Sequence, residues 1–188
     1  MKERGMIFNA DMVRAILDGR KTQTRRIIKL SHERGMVNPV VCGKNGEISS
    51  VTCRLAPTLC PHGGVGDRLW VRETFASGLC TETTLAYRAT HKPEDLEEGW
   101  GEAIKWTPSI HMPRWASRIT LEITGVRVER LNDISDVDAM AEGCSTSCMR
   151  SGDSLSDVYA RLWSSIYGAD NWQANPWVWV IEFRRVEA

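Results

Sequence analysis

The sequence predicts an α+β fold: a small β-barrel with short peripheral helices. Three observations point there. Alternating apolar and polar residues dominate, most clearly in "SRITLEITGVRVERL" (117–131), where Ile119, Leu121 and Ile123 repeat at the period of a strand. Only three stretches carry helical spacing, and all are short. Strands in the majority with few helices and no regular β-α alternation favour a barrel or sandwich over a doubly wound sheet.

"MIFNA" (6–10) reads as the first strand. "DMVRAILDG" (11–19) reads as a helix, with Asp11 placed to cap, Met12, Val13, Ile16 and Leu17 on one face, and Gly19 as the stop. "KTQTRRIIK" (21–29) returns to strand character. Residues 31–65 carry Gly, Ser, Asn and Pro with weak periodicity and read as an inserted loop or hairpin in one domain of residues 1–188. "GDRLWVRETF" (66–75) is a strand after a Gly-Asp turn, with "TLAYRAT" (84–90) as its partner. "HKPEDLEEGWGE" (91–102) is an acidic loop. The strand at 117–131 breaks at Gly125, the mark of a bulge. "DISDVDAMAEG" (133–143) is a short helix ended by Gly143, "CSTSCMRSGD" (144–153) a loop and "SLSDVYARLWSSIYG" (154–168) the longest helix. "NPWVWVIEFRRV" (175–186) is the closing strand.

Composition excludes several classes. Lys and Arg number 24 and Asp and Glu 24, so no net positive charge supports broad nucleic-acid binding; a local patch would be needed. No apolar run approaches the length of a membrane span, and the charged start "MKERGMIFNADM" lacks a signal-peptide apolar region. A cytoplasmic protein is expected, and its six cysteines then read as free thiols or metal ligands. Cys42, Cys53, Cys60 and His62, or Cys144 with Cys148, lack the C-x2-C spacing of a zinc site, so neither metal nor other cofactor is expected.

The order "GRKTQTRR", "GDRLWVRE", "ITLEITGVRVERLNDIS", a helix ending "AEG" and a closing "VWVIEFRRV" resembles the ASCH domain of the PUA-like superfamily in its phage and prophage-encoded form. The resemblance implies a partly open PUA-like barrel with a cleft beside the first helix, at work in the cytoplasm of a bacterial host. It implies a nucleoside or a single RNA base as ligand. Some small ASCH proteins are amidohydrolases that remove the acetyl group from the exocyclic amine of acetylcytidine. On their pattern Lys21 is the base, Thr24 the nucleophile and Glu142 the water activator. A non-catalytic RNA-binding domain and an ASCH-type ribonuclease are the alternatives.

The residues themselves set conditions on that assignment. Lys21 and Thr24 are three apart and would face opposite sides of a regular strand; they converge only if Lys21 sits on the turn before it. Threonine needs a base to become a nucleophile, and a desolvated lysine can serve. The bland alternative is a surface strand of alternating Thr and cations. Glu142 stands in the last turn of its helix, where a negative charge opposes the helix dipole; it is either a solvated carboxylate or a functional one. Glu73 falls on the apolar side of its strand and needs a cation, with Lys21 and Arg26 as candidates, which makes it a second choice for the site carboxylate. Arg26, Arg114, Trp115 and Arg118 suit contact with a ligand's oxygens and base, Trp115 and the arginines by stacking and pairing.

Overall fold

The computed structural model describes residues 1–28, 40–42, 48–50, 56–78, 84–92 and 104–186. Its strands are β1 (Glu3–Ile7), β2 (Gln23–Ile27), β3 (Val40–Cys42), β4 (Ile48–Ser50), β5 (Arg68–Arg72), β6 (Phe75–Ser77), β7 (Leu85–Tyr87), β8 (Thr120–Arg130) and β9 (Trp177–Val186). The α-helices are α1 (Ala10–Leu17), α2 (Asp136–Ala141), α3 (Leu155–Tyr167) and α4 (Ala169–Gln173). One five-stranded sheet runs in the order β1-β5-β8-β9-β2, and β3-β4 and β6-β7 form two antiparallel pairs. The β1-β5 pairing is parallel and the other three are antiparallel.

The sheet curls without closing. Its two edge strands, β1 and β2, are joined in sequence by α1 and in space by Arg26, whose Nη2 donates to the Ile7 carbonyl at 2.7 Å. The fold is therefore α+β with an open barrel. A register shift between Ile123 and Gly125 bends β8, where the break at Gly125 predicts it. The concave face and α1 enclose Met6, Val13, Ile16, Leu69, Leu121, Ile123, Trp179 and Ile181. The helices α2 and α3 cover the other face with Ala139, Leu155, Tyr159 and Trp163 against Leu131, Val178 and Val180. Strand β9 thus buries both of its faces, which explains its nearly unbroken apolar run.

Several boundaries move: the strand expected over 66–75 divides into β5 and β6, and β7 pairs with β6 and not with β5. The first strand lies at 3–7 rather than 6–10, because its partner β5 pairs Glu3 with Arg68 and Ile7 with Arg72. The first helix is capped by Asn9, whose side chain accepts from Met12 N–H, while Asp11 pairs with Arg14 in the first turn. The short helix α4 has no counterpart in the sequence expectation. Most of the acidic loop at 91–102 and much of 31–65 lie outside the described residues. Within them no helix is long and apolar enough to cross a membrane.

Candidate functional site

The site begins where α1 stops. Gly19 takes φ +74, a left-handed conformation that a glycine adopts without strain, and the chain turns back so that Lys21 N–H donates to the Ala15 carbonyl. Lys21 sits on this turn, ahead of β2, and forms an isolated antiparallel bridge with Glu142. Glu142 in turn caps α2. Gly143 N–H donates to Met140 O and Cys144 N–H to Ala139 O, the paired bonds of a Schellman motif, with Gly143 at φ +95. Two helix stops therefore meet back to back. Each brings one charged residue into the contact.

Lys21 and Glu142 are both buried, at 2% and 3% exposure. Lys21 Nζ donates to Glu142 Oε2 at 2.6 Å and to its backbone carbonyl at 2.9 Å. Burial pushes the Lys21 ammonium below its ordinary range, against the opposing pull of Glu142. Arg25 Nη1 donates to Glu142 Oε1 at 3.2 Å, so a cation engages each carboxylate oxygen. Arg25 also reaches Glu129 and Asp138, at 3.3 and 3.4 Å. Gln23 Nε2 bonds Asp138, and Arg127 joins Asp138, Glu129 and Glu182. The pair is thus one end of a network that locks β2 to β8, β9 and α2. Breaking such a buried network at one member is costly, whereas the intact network contributes little net stability.

Thr24 and Glu142 line one small cavity of about 20 Å³ between α1, β2 and α3. Met12, Arg25, Arg26, Tyr159, Leu162 and Trp163 line it as well. A larger groove of about 740 Å³ adjoins it. Arg14, Arg20, Gly143, Cys144, Arg161 and Leu162 line this groove, so Leu162 faces both spaces.

With this geometry in view, the chain can be set beside known proteins. Among solved structures it is similar to an ASCH domain. That domain, from Lactobacillus crispatus, shares 12% identity at a TM-score of 0.45, over 98% of this chain and 79% of its own. A protein from Enterococcus faecalis assigned to the DUF984 family shares 11% at a TM-score of 0.43, over 99% and 81%. No protein-family model matches the sequence, and no curated protein does. Likeness at this level leaves the chemistry to be decided by the site itself.

The other candidate residues gather elsewhere. Glu73 is buried as expected, but its cation is neither Lys21 nor Arg26. Arg118 grips it in a fork, Nε to Oε1 at 2.9 Å and Nη2 to Oε2 at 3.0 Å. The Arg118 guanidinium also stacks 4.0 Å over the Tyr87 ring, and Tyr87 donates to the Ala116 carbonyl. Both oxygens of Glu73 are thus held by Arg118, next to Phe75, Met112 and Ala116. Arg114 pairs with Glu3 at 3.0 Å and Trp115 is 68% exposed. Among the described residues, none of Glu73, Arg114, Trp115 or Arg118 bonds to the Lys21–Glu142 pair or lines the cavity of Thr24 and Glu142, and Lys21 itself does not line that cavity. Nor do the described residues hold a group of three or more His, Cys, Asp or Glu arranged for a metal ion.

Sequence reasoning missed Arg25, Tyr159 and Trp163. Arg25 sits between Thr24 and Arg26 in a polar stretch, so the sequence carried no signal that it is buried. Tyr159 and Trp163 lie on the apolar stripe of α3, where spacing alone reads them as packing.

Proposed function

We propose that this chain is a hydrolase that removes a short acyl group from the exocyclic amine of a cytidine-like base. One observation supports the chemistry above the others: a buried Lys21–Glu142 pair at 2.6 Å, with Glu142 and Thr24 lining one cavity. The substrate class comes from the likeness of "GRKTQTRR" and "AEG" to the acetylcytidine amidohydrolases. In the first step Thr24 Oγ bonds to the acyl carbon and its proton passes to neutral Lys21 Nζ. The C–N bond breaks, and Lys21 returns the proton to the leaving amine. In the second step a water oriented by Glu142 attacks the Thr24 ester, giving the free acid and restoring the hydroxyl. Lys21 suits the base role because desolvation favours its neutral form. Arg26 lines the cavity and is placed to hold a ligand oxygen.

The balanced charge of the chain favours a small ligand or one base over a long RNA. The test is incubation with a panel of acylated and otherwise modified nucleosides, read by mass spectrometry. Release of the free amine from an acylated cytidine is the expected result, and a panel returned unchanged overturns the proposal. Binding without turnover, weakened by Thr24→Ala, would favour the non-catalytic alternative.

A further inference from the structure

The cavity beside Thr24 has an unusual inventory of hydrogen-bonding groups. Trp163, at 1% exposure, has an indole Nε1–H that is buried and without a partner. The Nε–H groups of Arg25 and Arg26 are likewise buried and unpaired. Tyr159, at 3% exposure, makes no hydrogen bond through its hydroxyl among the described residues. All four residues line the same 20 Å³. An unpaired arginine Nε is weak evidence alone, since Arg68 and Arg72 show it too. A buried indole N–H is different: leaving such a donor unsatisfied costs about 1–3 kcal/mol, and such groups call for an explanation. No acceptor of the cavity reaches it: the Glu142 oxygens bond Lys21 and Arg25, and the hydroxyls of Thr24, Tyr159 and Tyr167 leave the indole N–H unpaired. What the Trp163 N–H lacks is an accepting oxygen within reach.

Size narrows the occupant. A volume of 20 Å³ holds about one water-sized group. A pyrimidine does not fit there, but the carbonyl oxygen of an acyl group does. The groove of about 740 Å³ on the far side of Leu162 has room for the base and sugar.

Building on the acyl-hydrolase proposal, we infer that this cavity is the acyl-oxygen pocket. In it Tyr159 and Trp163 donate hydrogen bonds to the carbonyl oxygen as it gains negative charge, and the walls limit the acyl group to formyl or acetyl. Burial raises the Tyr159 phenol well above its ordinary range, which keeps it a neutral donor at every pH where the protein would work. Donors fixed in a dry pocket need no reorganisation when the charge develops, and removing one from such a site lowers kcat by about 10²–10³.

Two measurements test this, one independent of turnover. First, Tyr159→Phe removes one oxygen and breaks no hydrogen bond of the described fold, so its melting temperature should match wild type. Its kcat on acetylated cytidine should fall about 100-fold with KM little changed. Along a series of formyl, acetyl, propionyl and butyryl cytidine, wild-type rates should collapse after acetyl. Second, ¹⁵N-indole-labelled protein is titrated with acetamide, a neutral carbonyl probe. The Trp163 Nε1–H resonance, assigned by its loss in Trp163→Phe, should shift in wild type and shift less in Tyr159→Phe. A Tyr159→Phe enzyme with full kcat, or butyryl handled as well as acetyl, overturns the pocket and leaves the hydrolase standing. If wild type deacylates nothing yet acetamide moves the Trp163 signal, the hydrolase falls and the carbonyl pocket stands. An unmoved signal together with an unaffected Tyr159→Phe rejects the pocket outright.

Discussion

In the proposed mechanism Lys21 is the base, and its environment sets the pH response. Two opposed effects act on it: burial favours the neutral amine, and Glu142 favours the ammonium. A base must be neutral, so kcat/KM should rise with pH as Lys21 loses its proton, on a limb below the usual lysine range. Glu142→Gln removes the effect that holds the proton on. The acidic limb should then move to lower pH, which a pH profile of kcat/KM will show. The same change leaves the buried Lys21 and Arg25 without their shared anion and should cost about 3–5 kcal/mol in denaturant melts. For this reason Lys21→Met, which leaves Glu142 paired with Arg25, is the gentler probe of the base.

His62 gives a second pH signature, separate from the site chemistry. Burial, with Arg26 and Arg4 nearby, pushes its imidazole down to about 4 from an ordinary 6.5. The unfolded chain therefore takes up a proton first. The stability linked to His62 is complete above pH 6.5 and is lost as pH falls toward 4. Allowing for partial exposure, the loss should be about 2 kcal/mol. His62→Gln should flatten unfolding free energy across that window, and an unchanged slope would count against a neutral buried imidazole.

At the scale of elements, the two helix stops hold the site together. A Cβ on Gly143 would lie 3.0 Å from Ala15 Cβ and 3.3 Å from Lys21 Cβ, at a φ of +95 that strains any L side chain. Gly143→Ala should lower stability by about 1–3 kcal/mol. It should also reduce turnover by more than its stability loss explains, because it moves Glu142 relative to Lys21. Equal turnover at permissive temperature would separate the stop from the site. Much of this element logic was legible in sequence. Gly19 and Gly143 announced both stops, and the alternation in 117–131 announced β8. The start of β1 was not legible, since Glu3, Arg4 and Gly5 carry no apolar alternation and are extended only because β5 pairs with them. Nor was the partner of Glu73: Arg118 lies 45 residues away, and only the fold brings it near.

Across the whole molecule, charge is balanced, and several arginines pair with carboxylates of the fold. Arg25 and Arg127 serve the network at Glu142 and Asp138, Arg118 serves Glu73, Arg114 serves Glu3 and Arg184 serves Glu122. Affinity for a short RNA carrying one acylated cytidine should therefore fall only weakly with salt, with a slope equivalent to about one or two phosphates. A steep slope would favour an RNA surface. The location of the site at the seam between β2, α1 and α2 was accessible from sequence only through the resemblance of "GRKTQTRR" and "AEG". Periodicity places Lys21 and Glu142 on separate elements and cannot make them meet.

The central claim is that Thr24 accepts the acyl group, and the direct measurement is to catch it there. Wild-type protein and Glu142→Gln are mixed with acetylated cytidine, quenched in acid at early times, digested, and mapped by mass spectrometry. The account predicts an acetyl group on the peptide containing Thr24, more of it in Glu142→Gln because water activation is slowed, and none in Thr24→Ala, which should release no cytidine. Cytidine released at the wild-type rate by Thr24→Ala, with no acetyl on the chain, would contradict it.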